Sequence, residues 1–440
     1  MGGGRSSRSE RKGDPSPQTP RAVMPLDAAL DNSKPPDLTN VPMPPAWPAN
    51  WLAPAYIGLI MIGFIVLWSP GAMVGGGRLS SDRAMFMAVN AVTLTGFSEA
   101  VRVSDFKLLG QLAVFCLTVA GSIVALFVAG LAVSRVARRP YAWPLLLKAA
   151  VLVELAAILL GTWFLCDQDR NWWQAAFQAA AAFGNAGAYI GNLPSPGAWQ
   201  THLILLPWSM LGGIGLPVLV DLFYRVTKRQ PLSAYSITAI RLAALAYLIG
   251  VAFLMVLQLA DLPIDQWTTG AFRTFLTDSS VLSIESRTLG LPIVAIDAAR
   301  HTVQWGLLLL MAVGGLPGGT SGGLKITTIA ELYKGIRGAL AGRPIGRSTA
   351  IAATWVAMYA AIVFVTVILT LRTDPRLPGD QLLFDAVSAV SNVGLSHHEM
   401  SASAASMFSL AAAMLLGRLT STFVLWWLVD TTPAAELPVG

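Results

Sequence analysis

The chain has 440 residues, of which 54% are hydrophobic and only 12% charged, with a formal net charge of +6. Soluble globular domains carry roughly 25% charged residues, so a soluble domain is excluded. A nucleic-acid partner is not needed to explain the basic surplus, because its positions serve membrane topology.

Residues 1–46 open with MGGGRSSRSERKGDPSPQTPR, which is polar, basic and rich in Gly, Pro and Ser. No apolar h-region follows, so this stretch predicts a disordered cytoplasmic tail rather than a cleaved signal peptide. Six charge-free runs come next, at 51–77, 108–134, 171–220, 242–260, 302–324 and 348–371. A bilayer crossing takes about 20 apolar residues. The run at 171–220 exceeds that and must hold a turn or a re-entrant piece. Basic clusters separate the runs, at Arg135/Arg138/Arg139, at Arg225/Lys228/Arg229 and at Lys334/Arg337/Arg343/Arg347. If each cluster is cytoplasmic, the chain returns inside after every two spans, and both termini are cytoplasmic. Cys116 and Cys166 sit on apolar stretches and suggest neither a disulfide nor a metal site.

Three segments share one frame: FMAVNAVTLTG ending at Gly96, FQAAAAFGNAG ending at Gly187, and FDAVSAVSNVG ending at Gly394. Phe86, Phe177 and Phe384 stand ten residues before their Gly. Ala88/Ala91, Ala179/Ala182 and Ala386/Ala389 stand eight and five before it. A fourth, SVLSIESRTLG ending at Gly290, keeps the Gly but has Ser280 at the Phe position. Recurrence at about a hundred residues points to duplicated units. The predicted fold is an all-α polytopic membrane protein of four pseudo-repeated helix–pore loop–helix units, at 47–140, 141–231, 232–347 and 348–440. Each Phe-x-Ala-x-x-Ala piece is too short to span and predicts a re-entrant pore helix. Small-residue packing helices would share such a composition, but four copies in register, each ending in Gly, favour the re-entrant reading.

The loops that close these helices are Thr93-Leu94-Thr95-Gly96, Gly184-Asn185-Ala186-Gly187, Arg287-Thr288-Leu289-Gly290 and Ser391-Asn392-Val393-Gly394. Gly adopts backbone angles closed to other residues. Four such turns about one axis would present carbonyl rings that replace a cation's hydration shell, with the negative helix ends aimed at the ion. Further on, Gly314, Gly315, Gly318, Gly319, Gly322 and Gly323 crowd an otherwise span-like stretch, with Thr320 and Ser321 between them. Such glycine density breaks a helix, and broken backbone at membrane depth must line a cavity. The stretch is a poor phosphate loop, since Leu324 separates Gly323 from Lys325. Arg418 is the sole charge between Met400 and Val429, and a lone cation near mid-span is costly and usually functional. Snorkelling to the cytoplasmic face is its bland alternative.

VTLTGF, FGNAGA, ESRTLGL and VSAVSNVGLS resemble the TrkH/KtrB/HKT superfamily of potassium transporters over about residues 50–430. In that family MAVGGLPGGTSGGLKITT (311–328) corresponds to a gating loop below the filter, and MLLGRLT (414–420) to the helix whose Arg, here Arg418, faces the permeation path. The resemblance implies K⁺ as the transported ion at the filter, no organic cofactor, no enzyme activity, and residence in the bacterial inner membrane. It also implies a homodimer on separate cytosolic nucleotide-binding regulatory subunits of the TrkA/KtrA type. Asn392 and Ala188 depart from the usual family residues, while Gly96 favours potassium, since Ser there accompanies sodium permeation. The alternatives are a sodium-permeable or Na⁺/K⁺ carrier of the same architecture, and a broken-helix secondary transporter. An intramembrane enzyme would need a mid-span His, Cys or paired-acid array, which the chain lacks.

Among the remaining polar residues, Glu99, Asp105, Asp167, Asp169, Asp261, Asp265 and Asp278 are expected on the outer rim, beside Arg78, Arg83, Arg102 and Arg170. Arg287 is expected to brace its loop by hydrogen bonds. His397 and His398 follow the fourth loop, where a pH-sensing role competes with silence. Lys148 and Glu154 could pair across a helix or sit at its ends, and the spacing does not decide between the two.

Overall fold

The computed structural model describes residues 49–97, 101–136, 143–167, 170–261, 263–297, 299–396 and 403–431. The tail expected at 1–46, and Glu99, Arg138, Arg139, Asp169, His397 and His398, lie outside the described residues. What is described is helical, and extended pairing is confined to two isolated bridges, Met73–Phe106 and Val313–Leu324.

Helix α1 (Ala49–Trp68) leads to the short α2 (Ser81–Val92) and the long α3 (Leu108–Val136). The second group is α4 (Trp143–Leu165), α5 (Trp172–Gly184), α6 (Leu206–Ile214) and α7 (Leu216–Lys228). The third is α8 (Ala234–Ala260), α9 (Thr269–Ile284), α10 (His301–Ala312) and α11 (Ile326–Leu340). The last is α12 (Arg347–Thr373), α13 (Gly379–Val390) and α14 (Ala404–Thr431). Of these, α3, α4, α8 and α12 are each long and apolar enough to cross a membrane. Leu245, Leu248, Ile249 and Val256 of α8 are exposed, as on a helix that meets lipid.

The short helices α2, α5 and α13 carry the Phe and Ala frame, and every one of those frame residues is buried. Each packs between its neighbours, α2 on α1 and α3, α5 on α4 and α6, and α13 on α12 and α14. A recurring contact fixes that packing. Gly121 of α3, Gly212 of α6 and Gly417 of α14 each sit so close to a pore-helix carbonyl that a Cβ would fall on it. The carbonyls belong to Val92, Phe183 and Val390, each four residues before the frame glycine. The third group lacks this contact. There α10 stops at Ala312, and the backbone runs irregularly until α11 begins at Ile326.

The run at 171–220 holds α5, a connecting segment, the helical stretch Thr201–Ile214, and the start of α7. It also holds a feature not foreseen. Gly215, at φ 102, breaks the helix, and the two halves diverge by 110°. Pro217 in the first turn of α7 suits a helix start and no helix interior. The basic residues Arg225, Lys228, Arg229, Lys334, Arg337, Arg343 and Arg347 are exposed at the ends of α7 and around α11.

Candidate functional site: a ring of glycine turns over a glycine-rich loop

The short helices that carry the frame end alike. Thr95, Ala186 and Val393 each donate their N–H to the carbonyl five residues back, on Asn90, Ala181 and Ser388, over 3.0, 2.9 and 2.9 Å. A left-handed residue makes each turn: Leu94 (φ 60), Asn185 (φ 56) and Asn392 (φ 51). The third copy is shifted by one. Residues Glu285–Leu289 coil as a wide π turn, and Gly290 itself closes onto Glu285 over 3.2 Å. The third frame is faint in sequence because Ser280, Leu282 and Glu285 stand where the other copies have Phe, Ala and Ala; the π turn is a separate difference. It also places Arg287 and Thr288 in a helical turn instead of an extended loop, while Gly184 closes α5 instead of opening its loop.

The four glycines meet. A Cβ on Gly96 would fall on the carbonyl of Ala186, and one on Gly187 would stand 2.9 Å from that of Gly290. One on Gly290 would strike Val393, and one on Gly394 would strike Thr95, which returns to the first loop. All four have positive φ, between 63 and 87. Sequentially distant turns therefore abut in a closed cycle of main-chain oxygens.

Side chains on or just after the short helices grip the segments leaving this ring, and sequence reading missed all of them. Asn90 Oδ1 accepts from Gly96 N (2.7 Å) and Phe97 N (2.9 Å), while Nδ2 donates to Phe97 O (2.9 Å). Gln178 donates to Ile190 O and Asn192 O, and Glu285 Oε1 accepts from Ile293 N over 2.8 Å. No common spacing links these residues to their glycines, so only a turn-by-turn polar pattern could have marked them. Beneath the ring, Asn392 donates to Thr95 Oγ1 (3.0 Å), and Ser209 joins Asn185 to Thr288.

The glycine-rich stretch folds as a loop with a pinned neck: Gly314 N donates to Leu324 O, Leu324 N to Ala312 O, and Ile326 N to Gly315 O. Its tip rises against the ring. A Cβ on Gly322 would strike Ser391 O, and one on Gly319 would strike Gly213 O. Thr320 is fully buried, donates its N–H to Gly212 O, and its Oγ1 takes 2.6 Å from Asn185 Nδ2. Lys325 Nζ donates to Ser321 O over 2.6 Å. The break at Gly215 meets the same loop through Leu216 N, which donates to Gly318 O, and Tyr235 OH donates to Pro317 O.

Arg418 joins loop and ring. Its Nε and Nη2 donate to Thr93 O (2.9 and 2.5 Å) and its Nη1 to Thr320 O (2.5 Å). The guanidinium does not snorkel; it is buried, 6% exposed. The Thr93 carbonyl is thereby engaged by Arg418, which leaves Leu94, Thr95 and Gly96 as the first turn's contribution to the ring.

One expectation is corrected. Arg287 makes no hydrogen bond or ion pair with any described residue, and its Nε is buried without a partner. It points outward from the ring toward α8, with Nη2 3.2 Å from where a Gly250 Cβ would stand. Of the two readings open for Lys148 and Glu154, the pairing is not seen: Glu154 accepts from Ser122 Oγ over 2.6 Å between α4 and α3. On the rim Arg170 is paired with Asp167. Cys116 and Cys166 are free.

Helices of membrane length, short helices that end in left-handed turns, and broken backbone held in the interior together define a polytopic membrane transport protein. A family model described as TrkH, cation transport protein, matches residues 112–428, and the chain belongs to that family. Its members transport cations and are not enzymes. The chain is 24% identical over 391 residues to the potassium/sodium uptake protein NtpJ of Enterococcus hirae, covering 79% of this chain and 85% of that protein. It is 25% identical over 391 residues to the Ktr system potassium uptake protein D of Bacillus subtilis, covering 79% and 86%. The fold is similar to that of the crystal structure of the potassium transporter TrkH from Vibrio parahaemolyticus, with a TM-score of 0.68, 16% identity and coverage of 86% and 85%.

Proposed function

We propose that the chain is the membrane subunit of a potassium-uptake system. Potassium ions pass down their electrochemical gradient through main-chain carbonyls of the turns ending at Gly96, Gly187, Gly290 and Gly394. The loop 313–325, latched by Arg418, closes the path beneath them. The cyclic approach of the four glycines carries this reading, because carbonyls at that spacing can replace the water around a monovalent cation. Arg418 contributes a second barrier, since a buried guanidinium beside the path repels a passing cation.

The proposed setting is the bacterial inner membrane with both termini cytoplasmic. The exposed basic clusters on α7 and around α11 then face the cytosol. The proposed assembly is a homodimer that docks separate cytosolic nucleotide-binding subunits, in keeping with the Ktr-type relatives. A sodium-permeable variant of the same pore is the second reading, favoured by the potassium/sodium relative of Enterococcus hirae.

The test is growth of a potassium-uptake-deficient bacterium at low K⁺ with this chain expressed, paired with rubidium flux into liposomes holding the purified protein. Rescue with rubidium flux supports the reading. Sodium flux without rubidium flux selects the second reading, and correct insertion with neither flux defeats both.

A further inference from the structure

A half-open cavity lies beside the ring, between α6, α8, the π turn after α9 and the first arm of the glycine-rich loop. Its walls are apolar, built mainly from Met210, Ile214, Ala243, Ala246, Ile284 and Leu316. One charged group faces it. Arg287 is 8% exposed and lines the cavity, yet no described residue donates to, accepts from or pairs with it. Glu285, two residues away, is turned instead to the Ile293 and Val294 amides.

A guanidinium withdrawn from water without a partner costs several kcal/mol, and ionisable groups at membrane depth persist where they meet a partner or a ligand. Arg287 presents a planar fork that matches the two oxygens of a carboxylate or phosphate. The remaining walls suit a hydrocarbon chain. The α8 side of the cavity belongs to a helix whose Leu245, Leu248 and Ile249 are exposed, so the neighbouring medium is lipid. We propose that this cavity binds an amphiphile with an anionic head, whose carboxylate or phosphate oxygens pair with Arg287 while its alkyl chain lies against Ile214, Ala243 and Ala246. Gly314, Gly315 and Leu316 form one wall, so the occupant touches the glycine-rich loop where it leaves α10.

The site is tested by binding, which needs no assumption about the transported ion. Full-length protein in phosphatidylcholine nanodiscs is titrated with tritiated palmitate, with and without phosphatidylglycerol in the disc. Saturable palmitate binding near one per chain, weakened at least tenfold by both Arg287→Gln and Ala246→Phe, supports the site with a fatty carboxylate as the source. Displacement of that palmitate by phosphatidylglycerol but not by phosphatidylcholine assigns the head to a lipid phosphate. Ala246→Phe fills the cavity and leaves Arg287 in place, so it carries the test if Arg287→Gln misfolds on size-exclusion chromatography. Absence of saturable binding by either amphiphile, or binding unchanged in both variants, overturns the proposal and leaves a water-filled side cavity.

Discussion

The Asn185 amide donates to the Thr320 hydroxyl over 2.6 Å, across 135 positions of sequence. Thr320 also donates its N–H to Gly212 O, and its carbonyl accepts from Arg418. One residue of the glycine-rich loop thus touches the second turn of the ring, the helix broken at Gly215, and α14. In the proposed gate, moving the loop aside means releasing all three at once, so Thr320 would be the point where closure is held.

Arg418→Gln removes the charge and the geometry of three hydrogen bonds to Thr93 and Thr320. Each charge-assisted bond contributes about 1.5–3 kcal/mol, and every 1.4 kcal/mol is roughly tenfold in population. Rubidium flux into liposomes is expected to rise by at least tenfold, since losing even one of these bonds is enough for that. A flux equal to or below wild type counts against the latch.

Thr320→Val keeps the shape and deletes the hydroxyl that meets Asn185 and Phe183 O. Its main-chain bonds to Gly212 and Arg418 survive, so the expected rise in flux is smaller, about threefold. Arg418→Gln and Thr320→Val share one loop, so a double-mutant cycle should give a coupling of about 0.5–3 kcal/mol. Strict additivity would mean that the two residues hold separate things.

Gly96→Ser sets a Cβ against the Ala186 carbonyl, at a backbone φ of 87 that side chains rarely adopt. Either the first or the second turn must shift, and with it an oxygen of the proposed filter. The expected outcome is a lower rubidium-to-sodium flux ratio, by about tenfold or more, with sodium entry retained. An unchanged ratio would place selectivity elsewhere.

The short helices and their glycines were legible because a turn with left-handed backbone calls for Gly at a fixed distance from a buried Phe and Ala face. Leu94 adopts the same backbone region at φ 60 without being Gly, so its role left no mark in the sequence. The third copy was faint because Ser280, Leu282 and Glu285 replace the Phe and the two Ala of the frame, and its π turn at Glu285–Leu289 left no mark in the sequence. Gly215 was hidden by its surroundings, a long apolar run in which one more glycine looks like packing. The isolation of Arg418 in a long uncharged stretch marked it in the sequence, and the structure holds it buried between Thr93 and Thr320. The solitude of Arg287 was not legible there, because only the packed structure reveals which neighbours are missing.

Asn90→Leu and Asn90→Asp separate support of the ring from general stability. Leucine keeps the branched shape of asparagine, though it is bulkier, and leaves Gly96 N, Phe97 N and Phe97 O buried without their partner. A bond lost in this way costs about 1–3 kcal/mol for each stranded group. Aspartate still accepts from both amides and loses only the donation to Phe97 O, against which it sets a negative oxygen. The rubidium-to-sodium ratio should therefore fall in the order wild type, Asn90→Asp, Asn90→Leu. A residue that only stabilised the fold would lower the unfolding temperature of both variants and leave the ratio where it was.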